Sequence, residues 1–252
     1  MSEEIRVYPF NLWSSVFYIT ALLFFFAGSS FCYKSKVEAM SNSSQPGAQI
    51  KKYNYLALGD SYTIGETVPL AENFPHQTAS LFKTHSTELS VRIIAKTGWT
   101  TDELEAGIVE SNSIDPLLSS YDFVSLLIGV NNQYRGRTVE NYKPEFEALL
   151  QKAIRYAGGR PGRVVVLSIP DWGATPFATG RDRAQIAAEI DAYNAAKKQI
   201  SLQHHVHYID ITSWTREAAN DPTLLAADGL HPSGKEYKRW AEQVAIFFRS
   251  II

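Results

Sequence analysis

Runs rich in apolar residues recur along the chain at 53–58, 91–95, 123–128, 164–169 and 206–211, each bounded by polar or turn-forming residues. Their length is that of buried β-strands. Between and after them, at 74–84, 101–109, 139–157, 183–203 and 234–251, apolar residues return every three or four positions, the period of a helix with one face on a core. Strands alternating with helices predict an α/β fold around a mainly parallel, five-stranded sheet. Neither an internal repeat nor a second domain shows in the pattern.

Two helix starts carry a capping signature, Thr100 with Glu103 and Ser233 with Glu236. In each a hydroxyl can accept one free backbone N–H while the acid reaches back to another, which fixes the direction of the preceding loop. In a doubly wound sheet the ligand crevice lies beyond the carboxyl ends of the strands. Four segments fall at that edge: the turn after the first strand, Gly98 after the second, residues 129–132 after the third, and the loop before the last helix.

The first fifty residues follow a different pattern. Residues 7–33 contain no charge, with Val, Ile, Leu and Phe dominating 16–26, and a bilayer takes roughly 20 such residues to cross. Ala27-Gly28-Ser29 supplies the small residues of a signal cleavage site, and Cys32 suggests a lipoprotein anchor, although Phe31 stands where a small residue is expected. Lys34 and Lys36 follow the apolar run, which weighs against simple translocation of the downstream chain. A stretch this apolar and without a polar face nevertheless predicts an exported protein, with residues 1–36 as a cleaved signal, lipoprotein signal or membrane anchor. The polar, turn-rich residues 37–52 read as a linker, and the domain occupies 53–252.

Composition narrows the chemistry. At 252 residues, 45% hydrophobic and 20% charged, the chain fits one globular domain plus an appendage. Its 24 basic and 26 acidic residues nearly cancel, which argues against a nucleic-acid partner and directs attention to a small-molecule site. Cys32 is the single cysteine, so a disulfide within the chain and a cysteine-based zinc cluster are both excluded. No cofactor is expected, and no bound metal: the His-Glu-x-x-His string is absent, as is the Gly-x-Ser-x-Gly elbow of the other large hydrolase fold. Gly229-Leu230-His231-Pro232-Ser233-Gly234-Lys235 has the glycine and lysine spacing of a phosphate-binding loop. That reading fails because Glu236 stands where a magnesium-binding hydroxyl belongs and no strand precedes it.

Three kinds of chemistry are offered by the four segments. Gly59-Asp60-Ser61-Tyr62 follows a strand, where glycine permits a sharp turn and Ser61 can lift its hydroxyl above the sheet. Its plainer role is a helix cap. In Asp228-Gly229-Leu230-His231-Pro232, a carboxylate three residues before a histidine can hold that ring while the other nitrogen acts as a base. The remaining histidines lack such company. Gly98 and Asn131 could aim a backbone N–H and a side-chain amide at one developing oxyanion, although a glycine or asparagine at a strand end is commonly only a turn residue.

Taken together, Gly59-Asp60-Ser61, Gly98, Gly129-Val130-Asn131 and Asp228-Gly229-Leu230-His231-Pro232 resemble, in order and separation, the four blocks of the SGNH or GDSL hydrolases. The resemblance covers the span from about Tyr53 to the C-terminus. It implies a flavodoxin-like three-layer α/β/α sandwich and a serine esterase or lipase. It also implies Ser61 as nucleophile, His231 as base, Asp228 as orienter, and an oxyanion hole from Ser61 N–H, Gly98 N–H and the Asn131 amide. The family often has aspartate after the asparagine, where this chain has Asn132. The expected substrate is a short-chain acyl or acetyl ester of a carbohydrate or lipid, met by Trp99, Asn132, Tyr134 and Trp172. Lysophospholipase or thioesterase activity, or an inactive surface-tethered binding module, are the competing readings.

Overall fold

The computed structural model describes residues 49–252; the apolar segment 7–33, Cys32 and most of the linker lie outside the described residues. Five strands, β1 (Lys51–Asp60), β2 (Thr87–Lys96), β3 (Phe123–Leu127), β4 (Val164–Leu167) and β5 (His207–Ile209), form one sheet in the order β2-β1-β3-β4-β5. Every pairing is parallel. The helices are α1 (Ser61–Ile64), α2 (Phe74–Phe82), α3 (Thr101–Ile114), α4 (Val130–Tyr134), α5 (Val139–Tyr156), α6 (Arg183–Gln203), α7 (Thr212–Thr215) and α8 (Gly234–Ser250). This is the expected three-layer α/β sandwich. Helices α2 and α8 pack together on one side, and α3, α5 and α6 pack in series on the other.

The central strands β1, β3 and β4 are covered on both faces, so their apolar runs are continuous and easily read. On the α2/α8 side the core is aromatic: Phe123 stacks on Phe248 with ring centroids 4.2 Å apart, and Tyr55 meets Phe248 edge-on at 5.0 Å. Edge strands obey the pattern less closely. β2 begins at Thr87, ahead of its apolar run, because an edge strand can pair through polar residues, here Lys51↔Thr87 to Tyr53↔Leu89. At the opposite edge β5 stops at Ile209, short of the apolar run at 206–211. Ser168 causes this: its Oγ accepts the N–H groups of Ile211 (2.8 Å) and Thr212 (3.1 Å), so those donors leave the ladder.

The first capping signature holds, with the Thr100 N–H donating to Glu103 Oε2 at 2.9 Å. The second does not form. Ser233 Oγ donates to the Thr223 carbonyl, and the buried Glu236 accepts from Trp240 Nε1 (2.8 Å) and Arg239 (2.9 Å), since a buried carboxylate is better satisfied by those donors than by a backbone amide at the helix start.

Candidate active site

β1 delivers the serine. A Cβ at Gly59 would collide with the Thr63 side chain and the Leu127 carbonyl, so only glycine lets α1 fold back over the strand end. Asp60 is extended (φ −128°, ψ −152°) and caps α1 by accepting the Tyr62 N–H at 3.0 Å. Ser61 is therefore both the first residue of α1 and the first residue past the sheet. The capping role weighed against catalysis belongs to Asp60, which leaves the Ser61 hydroxyl available.

Histidine and aspartate arrive on a loop closed by its own backbone. Leu225 bridges Pro232, Ala226 N–H donates to the His231 carbonyl at 2.8 Å, and Gly229 supplies the left-handed turn (φ +65°). Inside this loop Asp228 Oδ1 accepts the N–H groups of Leu230 and His231, both at 3.0 Å, while Oδ2 meets His231 Nδ1 at 2.6 Å. Partial burial pushes the Asp228 carboxyl up, but those hydrogen bonds, with that from the His231 ring foremost, outweigh it and hold the group below its ordinary value. With Nδ1 engaged, Nε2 is the free nitrogen of His231, and the ring leans on that of Tyr62 at 4.8 Å. Of the other histidines His204 also has a carboxylate on its ring, with Glu147 at 2.7 Å from Nε2, which the sequence did not foretell, but it does not line the cleft with Ser61; His76 contacts Asn73 and His207 stacks on Phe247.

The two asparagines after β3 point in different directions. Asn131 lines the cleft, and its Nδ2 donates to the Trp99 carbonyl at 3.0 Å. An amide nitrogen carries two protons, so one remains for another acceptor. Asn132 is fully buried: its Oδ1 accepts the Thr101 N–H (3.1 Å) and its Nδ2 donates to Thr101 Oγ1 (2.7 Å), tying α4 to the start of α3. The expectation that Asn132 meets substrate is thus corrected, because the position after the cleft-facing residue turns inward and its amide is consumed by a helix terminus. Trp99 is corrected likewise. Its indole packs where a Cβ at Gly107 of α3 would sit, and it contributes only its carbonyl to the site. Gly98 itself lines the cleft at φ +82°, and Arg135 braces the turn by donating to its carbonyl at 2.6 Å and to Glu103 at 2.9 Å.

Ser61, Gly98, Asn131 and His231 share one open cleft of about 150 Å³ at the carboxyl edge of the sheet. Leu230, Trp172, Phe177 and Tyr134 give the same cleft a largely apolar lining. Tyr134 and Trp172 stand edge to face at 5.2 Å, and the indole N–H of Trp172 donates to Gln133 Oε1 at 2.7 Å. Tyr134 and Phe177 are 43% and 46% exposed, unusually open for rings of this size, while Trp172 is buried by its neighbours. Gln133 gave no signal in the sequence; its role depends on Trp172, 39 residues away. Among the described residues no group of His, Cys, Asp and Glu is placed to hold a metal ion, and no helix is long and apolar enough to cross a membrane.

A parallel α/β sandwich gathers a strand-end serine and a carboxylate-bound histidine at one cleft, and the family match places the chain among the ester hydrolases. The chain belongs to the GDSL-like Lipase/Acylhydrolase family, whose model matches residues 57–239. Sequence comparison with curated proteins finds no match. Among solved structures, a lipolytic protein of the G-D-S-L family from Veillonella parvula is similar with a TM-score of 0.60 at 17% identity, covering 80% of this chain and 100% of that one. The acetylxylan esterase Axe2 from Geobacillus stearothermophilus gives 0.58 at 16% identity, over 80% and 96% of the two chains. A lipase/acylhydrolase from Enterococcus faecalis gives 0.56 at 20% identity, over 79% and 96%. At such identities the likeness speaks for the fold.

Proposed function

We propose that the enzyme cleaves acyl esters with Ser61 as nucleophile, His231 as general base and acid, and Asp228 as the group that orients His231. The observation that carries this reading is the 2.6 Å contact between Asp228 and His231 Nδ1, in a loop whose histidine opens onto the same cleft as Ser61. His231 Nε2 takes the hydroxyl proton as Ser61 Oγ bonds to the ester carbon. Negative charge moves to the former carbonyl oxygen, where the N–H groups of Ser61 and Gly98 and the spare proton of Asn131 Nδ2 receive it. The bond to the alcohol oxygen then breaks, that oxygen takes the proton from His231, and the acyl group remains on Ser61. Water, deprotonated by His231, attacks the acyl-enzyme; release of the carboxylic acid restores the serine. Asp228, held ionised by its three hydrogen bonds, stabilises the imidazolium formed twice in this cycle.

A short acyl or acetyl ester fits the small volume and apolar wall of the cleft, and the acetylxylan esterase activity named for one structural neighbour is of that kind. Export through residues 7–33, with or without lipidation at Cys32, is the companion proposal on where the enzyme works. Ser61→Ala tests the central assignment: it should abolish hydrolysis of p-nitrophenyl acetate and labelling by a fluorophosphonate while leaving the thermal midpoint close to that of the wild type. Labelling that persists at another serine would overturn it.

A further inference from the structure

Beside the cleft that holds Ser61 lies a smaller, largely apolar hollow of about 10 Å³, lined in part by Pro170, Ala218, Leu224 and Leu225. Tyr62, Trp172 and Leu230 line both spaces, so these three side chains form the partition between them. Tyr62 follows the nucleophile and Leu230 precedes the base, and the N–H of each is held by an aspartate of the turn that carries it. Trp172 stands on a separate loop and needs a support of its own.

That support comes from α4 and α6. The indole N–H of Trp172 donates to Gln133 Oε1 at 2.7 Å, and Gln133 Nε2 donates to Glu189 Oε2 at 2.6 Å. Glu189 Oε1 in turn accepts from Gln185 Nε2, one turn earlier on α6, at 2.8 Å. An indole N–H only donates and a carboxylate accepts, so the Gln133 amide satisfies both neighbours in one orientation alone. Gln133 is 5% exposed and Trp172 4%, so bulk water does not make good a bond lost between them. Glu189 is half-buried on α6 and, like Gln133, does not line the cleft.

We propose that Glu189, acting through Gln133, holds the Trp172 indole as the partition that limits the cleft to short acyl chains. Both are positioning residues for acyl-chain selectivity, and the inference rests on the reading of the site as an acyl-ester hydrolase. In this arrangement a lengthening acyl chain meets the indole. With the indole displaced, the hollow joins the cleft and offers apolar surface to further methylenes, each worth roughly 4-fold in affinity when buried. A lysine at 189 offers only donors, which turns the Gln133 amide so that its NH₂ faces the indole N–H; two opposed donors then drive the indole from its place.

The test reads kcat/KM for p-nitrophenyl hexanoate against that for p-nitrophenyl acetate in the full chain, together with the thermal midpoint. Glu189→Lys should raise the hexanoate-to-acetate ratio at least ~4-fold. Glu189→Gln, whose amide oxygen still accepts from Gln133, should stay within ~2-fold of the wild-type ratio. Trp172→Phe removes the N–H that the relay serves, so adding Glu189→Lys to it should leave the ratio within ~2-fold of Trp172→Phe alone. A general loosening of the fold would instead shift the ratio equally on both backgrounds. Equal shifts on the two backgrounds, or a Glu189→Lys enzyme with the wild-type ratio, overturn the proposal. If Glu189→Lys does not fold, Gln133→Met takes its place in the same comparison, since it keeps the length of the side chain and has only a weak acceptor. A wild-type enzyme that cleaves neither ester, or an active Ser61→Ala, would show that the reading of the site is at fault, independently of the relay to Trp172.

Discussion

Adjacent asparagines, Asn131 and Asn132, separate activity from stability, and replacing each by alanine should expose the division. Asn131 faces the cleft and makes one half-buried hydrogen bond, to the Trp99 carbonyl. Its loss costs about 1 kcal/mol of stability, roughly 2–4 °C in the midpoint of a domain of this size. The same change removes a donor that strengthens as charge develops on the ester oxygen. That should lower kcat about 100- to 1,000-fold, or ~3–4 kcal/mol, with KM nearly unchanged. Asn132 presents the reverse case. Truncation removes two hydrogen bonds to Thr101 and strands a buried helix-terminal N–H, since Thr101 is itself buried. Two bonds at about 1 kcal/mol each plus about 1–3 kcal/mol for the orphaned donor give ~3–5 kcal/mol, or roughly 6–20 °C, with kcat affected only through loosening of the turn. Asn132→Asp is also destabilising here. The Thr101 hydroxyl already donates to Glu145, so a second carboxylate would meet an oxygen with no proton to offer, in a place closed to water. Steady-state kinetics on p-nitrophenyl acetate and thermal unfolding of the three variants decide the matter. A larger kcat loss at Asn132 than at Asn131, or a larger midpoint loss at Asn131, refutes the division.

Asp228→Asn should lose most turnover without unfolding, because an uncharged amide in place of the carboxylate cannot stabilise the imidazolium that forms during the reaction. A near wild-type rate for the asparagine variant would remove Asp228 from the mechanism. The hydrogen bond from Arg137 holds the Asp102 carboxyl down at about 2, so its ionised form stabilises the fold above pH ~4 and that contribution is lost as pH falls through about 2. Its side chain is half exposed, so Asp102→Asn should lower the midpoint at pH 6 by only ~1–2 °C, with the gap to wild type closing between pH 4 and pH 2; a gap constant over that range refutes the ion pair's role. Deleting residues 1–37 should yield a soluble, active domain, and the full chain should be open to protease added outside the cytoplasmic membrane; protection in spheroplasts defeats export, while palmitate labelling lost in Cys32→Ala marks the lipidated route.

Much of the fold was legible in the sequence because it depends on short-range pattern. The continuous apolar runs of β1, β3 and β4 mark strands covered on both faces, and their alternation with helices leaves a parallel sheet as the solution. The meeting of Asp228 with His231 is equally local: three residues and a glycine turn suffice to bring the carboxylate to the ring. Residues whose role depends on what packs against them were not legible in this way. Nothing in the string Val130-Asn131-Asn132 tells which amide faces the cleft; that is decided by Thr101, which opens α3 after β2 and takes Asn132 for itself. Trp99 had the composition of a binding residue, and the gap left by Gly107 drew its indole onto α3. Lys197 reads as an ordinary charge on a helix until α6 docks and the Ile128 carbonyl and the Phe146 ring become its surroundings. Covalent spacing sets what neighbours in the chain can do, whereas the partner of a buried polar group is whichever donor or acceptor the packed elements bring to it, and that choice is made only when the whole domain closes.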